Sequence, residues 1–373
     1  MIVSEIRLTN YRNYISQELA FSEGVNLFYG ENGQGKTNLL EAIYLMATGK
    51  SHRTSNYNDL VGFGSEGFEI NLKGMVNDRE ITLRVRYLKE RGRITEINGI
   101  RRERISDVLG TMNMILFSPE TLTIVKGSPA ERRRFLDVLL CQTSRSYLEN
   151  LQRYNKIIKN KSAALKNYRT GRSFQEVIPA FNEALAKTGG QVMKKRWEAI
   201  EKLSAFTRQE MSQLSRDREQ ILLRYKTSLG DGVTEGCVVD YEKELALKLE
   251  RSFKKELDTG QCLYGPHRDD MEMTLNDKSS RVFSSQGQQR SLALALILAE
   301  LRFVEDERGE KPVLLLDDVM SELDERRREA LVGGLKNVQT IITTTEPLLY
   351  TDLPVHEKRE FIVKDGKAQI LTF

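Results

Sequence analysis

Apolar and polar residues alternate with period two at the start of the chain: Ile6 and Leu8, Leu19 and Phe21, then Val25, Leu27 and Tyr29 after the turn Ser22-Glu23-Gly24. That period marks strands with one buried face, so three strands are predicted before residue 30. The pattern then changes. Leu39, Leu40, Ile43, Tyr44 and Ala47 recur at helical spacing, and residues 48–67, rich in Gly, Ser and Asn, read as loop. Period two returns in Phe68-Ile70-Leu72, Ile81-Leu83-Val85-Tyr87 and Ile94 to Ile97, with turns at Asn77-Asp78, near Gly92 and at Asn98-Gly99. These strands read as an antiparallel meander with one face open to water.

The middle of the chain is helical. Ser118-Pro119-Glu120 and Ser128-Pro129-Ala130-Glu131 are helix starts, the second a capping box with Pro at the first helical position. Tyr147, Leu151, Tyr154, Ile158 and Leu165 recur at three or four residues, as do Ile178, Phe181, Leu185, Val192, Ala199, Leu203 and Phe206. Two long helices turning around Gly171 would pack antiparallel as a short arm, with Gly189-Gly190 weakening the second. Ile221 to Tyr225 reads as a strand, and Tyr241 to Leu257 as a helix ended by Gly260. Gly265 to Asp270 reads as a loop between short strands, and Ser284 to Arg290 opens an apolar helix. Val313 to Asp318 is a buried strand ending in two acids, Ser321 to Asp324 starts another helix, and Thr340 to Thr345 is a further buried strand. A hairpin around Asp365-Gly366 follows. The fold class is α/β: a mixed-sheet core with an antiparallel meander, residues 1–125 and 261–373, and an inserted helical domain with its arm, residues 126–260.

The chemistry concentrates after the third strand. Gly30-Glu31-Asn32-Gly33-Gln34-Gly35-Lys36-Thr37 fits G-x-x-x-x-G-K-[ST] in the strand–loop–helix context of a P-loop. Its backbone N–H groups would curl around phosphate oxygens of a nucleoside triphosphate, and the helix adds its N-terminal dipole. Lys36 would reach the β- and γ-phosphates, and Thr37 would hold Mg²⁺. Asp317 would orient the waters of that ion, and Asp318 would polarise the attacking water. Ser285-Gln286-Gly287-Gln288-Gln289-Arg290 is either an ordinary helix N-cap or a second anion-binding device. One nucleotide does not need two such devices from one chain. Ser285 and Gly287 meeting the γ-phosphate held by another copy predicts an ATP-sandwiched homodimer.

Composition narrows the picture. The chain has 373 residues, enough for two or more cores, and a formal charge of +4, so nucleic-acid affinity must come from local patches. Cys141, Cys237 and Cys262 are far apart, which argues against a zinc site or disulfide framework and suits the cytoplasm. The longest strongly apolar run, Leu292 to Leu298, is too short for a membrane span. One patch stands out: Arg153, Lys156, Lys159, Lys161, Lys166, Arg169 and Arg172 with no acid among them, and Lys194, Lys195 and Arg196 on the second arm helix. It is either a solvated face or a phosphate-binding surface, and Lys156, Lys159, Lys161 and Lys166 are the candidates for nucleic-acid contact. Arg132-Arg133-Arg134 would serve DNA or ion pairs. His267 and Arg268 beside Asp269 and Asp270 suit a structural or inter-subunit role better than a metal site. His52-Arg53 lies near either nucleotide or DNA.

These motifs in this order resemble the ABC-type heads of SMC-like DNA-repair ATPases, and within them the RecF family. The likeness spans essentially the whole chain. It is carried by Leu8 to Tyr14, Gly30 to Thr37, Ser51-His52-Arg53-Thr54, Phe117 to Glu120, Lys126 to Pro129, Arg132 to Asp137, Gly265 to Asp270 and Leu316 to Asp324. The resemblance implies an ABC-type ATPase head that binds single-stranded and gapped double-stranded DNA. It implies dimerisation on ATP, slow DNA-stimulated hydrolysis, help in loading recombinase with the partner proteins RecO and RecR, and support of SOS induction. It also implies that Arg12 contacts the nucleotide. Three departures accompany it. Asp318 stands where many ABC ATPases have Glu, Thr344 or Thr345 stands at the switch-His position, and the short arm lacks a C-x-x-C hook. No glutamine is assigned to the Q-loop. A transporter-type ABC motor and a module using ATP only to dimerise are the alternatives. DNA-stimulated hydrolysis separates the first, and single-turnover hydrolysis in variants of Lys36 and Asp318 the second.

Overall fold

The computed structural model describes residues 1–169, 175–230, 239–346 and 357–371. The turn around Gly171, Arg172 and Cys237 lie outside the described residues. The chain forms two compact units, Met1–Leu122 with Glu210–Asp217 and Arg290–Phe373, and Thr123–Gln209 with Arg218–Gln289.

In the first unit β1 (Ile2–Tyr11) and β2 (Tyr14–Ala20) form a hairpin, followed by β3 (Val25–Tyr29) and α1 (Lys36–Thr48). The meander is β4 (Gly67–Val76), β5 (Arg79–Leu88), β6 (Gly92–Ile97) and the short β7 (Ile100–Arg102), and β8 (Met114–Phe117) comes next. Asn77, Asp78 and Asn98 all have positive φ, the backbone that tight hairpins of this twist require.

The second unit begins with α2 (Thr123–Lys126) and α3 (Pro129–Thr143), then the long α4 (Arg145–Arg169) and α5 (Ile178–Ser215). Glu131 accepts from the Ser128 N–H at 2.5 Å, which fixes the start of α3. Helix α5 is continuous through Gly189-Gly190, as a second long helix was expected to be. A Cβ on Gly190 would sit 2.6 Å from the backbone of Glu242, so the glycine is there to let another helix approach closely. That helix is α6 (Tyr241–Arg251), which Ser252 separates from α7 (Phe253–Thr259). Strand β9 (Ile221–Lys226) pairs antiparallel with β10 (Asp270–Leu275). This pairing draws residues 270–275 into the second unit, which therefore reaches past residue 260. The loop before β10 follows a helix, not a strand. β11 (Lys278–Ser279) and α8 (Ser280–Phe283) lead into α9 (Gln286–Arg308), within which the unit boundary falls.

The chain then completes the first unit with β12 (Val313–Asp317), α10 (Glu325–Gly334), β13 (Thr340–Thr344), β14 (Lys358–Lys364) and β15 (Lys367–Ile370). One sheet has the order β15-β14-β3-β13-β12-β8, parallel except for β15, and the other is the antiparallel β2-β1-β4-β5-β6-β7. Helix α1 touches β8, β12 and β13 of one sheet and β4 and β5 of the other. Residues such as Leu39, Leu40, Ile43 and Met46 are consequently fully buried, joining Ile6, Leu72, Leu315 and Ile341 in one core. No helix among the described residues is long and apolar enough to cross a membrane.

Candidate functional site

The P-loop lies between β3 and α1, at the carboxyl edge of the parallel strands, where α/β folds place ligands. Gly35 has φ +116°, and a Cβ on it would come within 2.6 Å of the Asn13 amide. Asn13 in turn donates to the Gln34 carbonyl at 2.9 Å and accepts from Asn38 at 2.8 Å. The β14–β15 turn clamps the same residue, since the Asp365 N–H donates to Gln34 Oε1 at 2.7 Å and the Gly366 N–H to its carbonyl at 3.1 Å. Glu31, Asn32 and Gly33 face solvent, and α1 has no side chain capping its first turn. Its leading N–H groups therefore suit an anionic ligand.

Lys36 is buried, and its Nζ donates to the Gly30 and Glu31 carbonyls at 2.6 and 2.8 Å. Burial lowers its pKa below the ordinary lysine value, while Asp318 and Asp317 pull the other way. Thr37 Oγ1 donates to Asp317 Oδ1 at 2.9 Å, joining two positions 280 residues apart. Asp317 pairs in register with Thr343, whose hydroxyl donates to the same oxygen at 2.7 Å. Thr37 and Asp317 thus form an oxygen-donor pair of the kind that suits Mg²⁺.

Asp318 leaves the strand with φ +52°, a left-handed backbone that non-glycine residues seldom adopt. Its Oδ1 is buried and finds no hydrogen-bond partner among the described residues. Burial raises its pKa, against the N–H of Thr345 and the charge of Lys36, which lower it. Thr344 is buried and its hydroxyl accepts from the Glu346 N–H at 3.0 Å, so of the two threonines Thr345 is the one that reaches Asp318, through its backbone.

Arg12 has φ +53° and holds the fully buried Glu41 of α1 with two hydrogen bonds of 2.9 and 2.7 Å. A third N–H group reaches the Asp59 carbonyl at 2.8 Å. Ser51 donates to Glu41 at 2.5 Å, and Arg53 lies 3.7 Å from it. Burial pushes the Glu41 carboxyl up, but the bonds from Arg12 and Ser51 outweigh it and leave the pKa lowered. Sequence reasoning gave Asn13 and Glu41 no role. The signal for Glu41 was an acid on the apolar stripe of α1. His52 lies edge-on to Tyr44, and its buried Nδ1 has no partner among the described residues.

In the second unit Ser285 is exposed and forms a capping box: its hydroxyl accepts from the Gln288 N–H at 3.2 Å, and its own N–H donates to Gln288 Oε1 at 2.8 Å. Gly287 follows in the first turn of α9. On α4, Lys156, Lys159 and Lys166 are exposed. Lys161 is not. It is 0% exposed and pairs at 2.6 Å with Glu256, also 0% exposed, so it is a core ion pair and is removed from the DNA-contact candidates. Arg196 is likewise buried, donating to Asp137 at 2.7 Å, to the Tyr147 hydroxyl at 2.9 Å and to the Pro266 carbonyl at 2.5 Å. Arg132 forms a fork on Asp270 at 2.7 and 2.8 Å, which is the ion-pair reading of the arginine triplet. His267 bonds the Tyr154 hydroxyl at 2.6 Å and faces the Cys262 carbonyl, and burial pushes its pKa down to about 4.

The chain is similar to known proteins along its length. The RecF/RecN/SMC N terminal domain family matches residues 2–354. The DNA replication and repair protein RecF of Ruminiclostridium cellulolyticum is 41% identical over 353 residues, 92% of this chain and 93% of that protein. RecF of Clostridium botulinum strain Langeland is 36% identical, covering 99% of this chain and 100% of that protein. A solved structure of the recombination mediator protein RecF with ATP superposes with a TM-score of 0.91 at 34% identity, over 100% of this chain and 98% of the other. An SMC head bound to the C-winged helix domain of ScpA has a TM-score of 0.58 at 16% identity, over 100% and 98%, and speaks to the fold alone. With an ABC-type ATPase fold and full-length likeness to these relatives, the chain belongs to the RecF family of DNA replication and repair proteins.

Proposed function

We propose that this protein is an ATP-dependent DNA-binding protein of recombinational repair, in which the nucleotide decides when two copies come together. The observation that carries the reading is the bond between Thr37 and Asp317 beside Lys36 and the unbonded Oδ1 of Asp318. The solved RecF relatives support it, because they hold ATP and ATPrS and belong to the RecFOR pathway.

In this reading Gly30 to Gly35 cradle the phosphates and Lys36 turns from its two carbonyls toward the β- and γ-oxygens. Thr37 and Asp317 would hold Mg²⁺, which when bound supplies charge neutralisation at those oxygens. Asp318 accepts a proton as a water oxygen bonds to the γ-phosphorus and the bond to the bridging oxygen breaks, leaving ADP and phosphate. An aspartate is about one methylene shorter than glutamate, which favours slow turnover. Arg12, fixed by Glu41, sits near the nucleotide with two N–H groups to spare. Ser285 and Gly287 of a second copy close over the γ-phosphate. Lys156, Lys159 and Lys166 contact phosphates of single-stranded or gapped DNA, RecO- and RecR-type proteins are the partners, and recombinase loading with SOS support is the outcome.

Sedimentation with ATP and Mg²⁺, with ADP, and with neither tests the assembly. We expect the mass to double with ATP alone, and Ser285→Arg to abolish the doubling while a fluorescent ATP analogue still binds. A chain that stays monomeric with ATP and Mg²⁺ overturns the sandwich.

A further inference from the structure

The outer face of the antiparallel sheet is a ladder of ion pairs. Glu5 takes Lys73 at 3.1 Å and Arg7 at 3.3 Å, Glu18 takes Arg7 at 2.7 Å, Glu69 takes Arg84 at 2.9 Å, and Glu96 takes Arg84 at 3.4 Å. These acids are engaged before the ladder reaches β7. One end of the sheet is tied off, since Gln17 of β2 bonds the Ala368 backbone of β15 at 3.0 and 2.8 Å. The other end is the edge strand β7. Within residues 91–104 stand Arg91, Arg93, Arg101, Arg102 and Arg104 against Glu96 and Glu103. Arg91, Arg101, Arg102 and Arg104 are exposed. Register sets Arg101 opposite Glu96 and Arg102 opposite the buried Thr95, so successive arginines leave from opposite faces of the edge. Arg93 lies over the Tyr57 ring at 5.2 Å.

Charge on an edge strand guards against unwanted pairing, most often as lysine. Five cations that are all arginine are a different choice. The guanidinium fork matches the paired oxygens of a phosphodiester, which an ammonium does not.

We infer that the β6–β7 edge is a second contact surface for the DNA sugar–phosphate backbone, separate from the lysines of α4. This rests on reading the protein as a DNA-binding one. The contact carries no base readout and raises affinity for any sequence.

Full-length protein carrying Arg101→Gln, Arg102→Gln and Arg104→Gln is titrated with a fluorescein-labelled duplex, and with the matching single strand, across a NaCl series. The parent, the Arg→Lys triple and a Lys156→Gln/Lys159→Gln/Lys166→Gln protein run alongside. The expected result for the glutamine triple is a log K versus log salt slope shallower by about 2.7 on duplex or about 2 on single strand. Its thermal midpoint should match the parent, and the Arg→Lys triple should keep the slope. An unchanged slope in the glutamine triple while the α4 variant becomes shallower overturns the edge contact and leaves the proposed function standing. A parent that binds no DNA overturns both. An unchanged DNA slope with lost binding to poly-glutamate assigns the edge to acidic protein and overturns the proposal, as does a shallower slope shared by the Arg→Lys triple with a lowered thermal midpoint.

Discussion

Asp318 in the first unit and Asp269 in the second are both acids held against their solvation, and they are finished to different degrees. Asp269 is 1% exposed, and the Tyr225 hydroxyl and the Ser228 N–H donate to it. Nearby, Arg196 binds Asp137, Tyr147 and Pro266 within the same unit. These donors all end on acceptors from the chain itself, while the hydroxyl of the adjoining Tyr241 is buried without a partner among the described residues. Asp318 sits on a left-handed backbone with one oxygen sealed from water and unbonded among the described residues. A buried polar atom without a partner costs about 1–3 kcal/mol, and a strained backbone costs a similar amount. The lesson is one of completeness. A polar cluster that satisfies itself holds the fold together, and one that leaves an atom open keeps a place for something that arrives later.

Substitutions test that distinction. Asp318→Asn should slow single-turnover ATP hydrolysis by about 10²–10⁴-fold while the thermal midpoint holds or rises, because a costly charge has gone. Loss of the fold in this variant, with hydrolysis retained in what remains soluble, would break the comparison. Arg196→Met should do the reverse. It leaves Asp137 with the Tyr147 hydroxyl as a donor but takes the guanidinium from the Pro266 carbonyl and the buried cluster, and chemical denaturation should show a loss of about 1–3 kcal/mol with little change in ATP binding per folded molecule. A stable Arg196→Met protein would show that the cluster is dispensable.

Glu300 sharpens the comparison from a third side. It lies on α9 within the first unit, 6% exposed, and burial alone raises its pKa from 4.5 to about 8. The folded state therefore keeps a proton that the unfolded state has released. Stability from this group is complete below about pH 4.5 and is lost as the pH rises through 8. Glu300→Gln should stabilise by about 1–3 kcal/mol at pH 8 and by almost nothing at pH 4.5, as denaturant midpoints at the two values would reveal. An equal gain at both would mean that the carboxyl is charged in the fold, or solvated.

Much of this was legible in the sequence because it is written in short-range signals. Period two gave the meander, the Asn-Gly and Asn-Asp turns gave its hairpins, and one eight-residue motif gave the P-loop with its flanking strand and helix. What hid was long-range. Lys161 reads as a surface cation, yet its partner Glu256 is 95 residues away. The clue was its place in the stripe Tyr154, Ile158, Leu165, where position 161 falls on the buried face. Arg196 falls likewise between Val192 and Ala199. Gly189-Gly190 reads as a weak point until the neighbouring helix is seen pressing on it. Asn13 was invisible as a site residue for the same reason, acting on Gln34 and Asn38 through contacts that the local pattern does not encode, and Glu41 showed only as an acid on the apolar stripe of α1.

The order of strands in the parallel sheet has a consequence for how the molecule is made. β3 lies between β13 and β14, and β8 pairs with β12. A ribosome releases β3 early, and its neighbours emerge only after residue 340. At about 5–20 residues per second, the P-loop strand waits roughly 15–60 s for its first partner. Through that interval the aliphatic edges of β3 and β8 are exposed to other nascent chains. The second unit, encoded between β8 and β12, is in a position to fold first, so that the late strands arrive to close a sheet whose early half has been kept waiting.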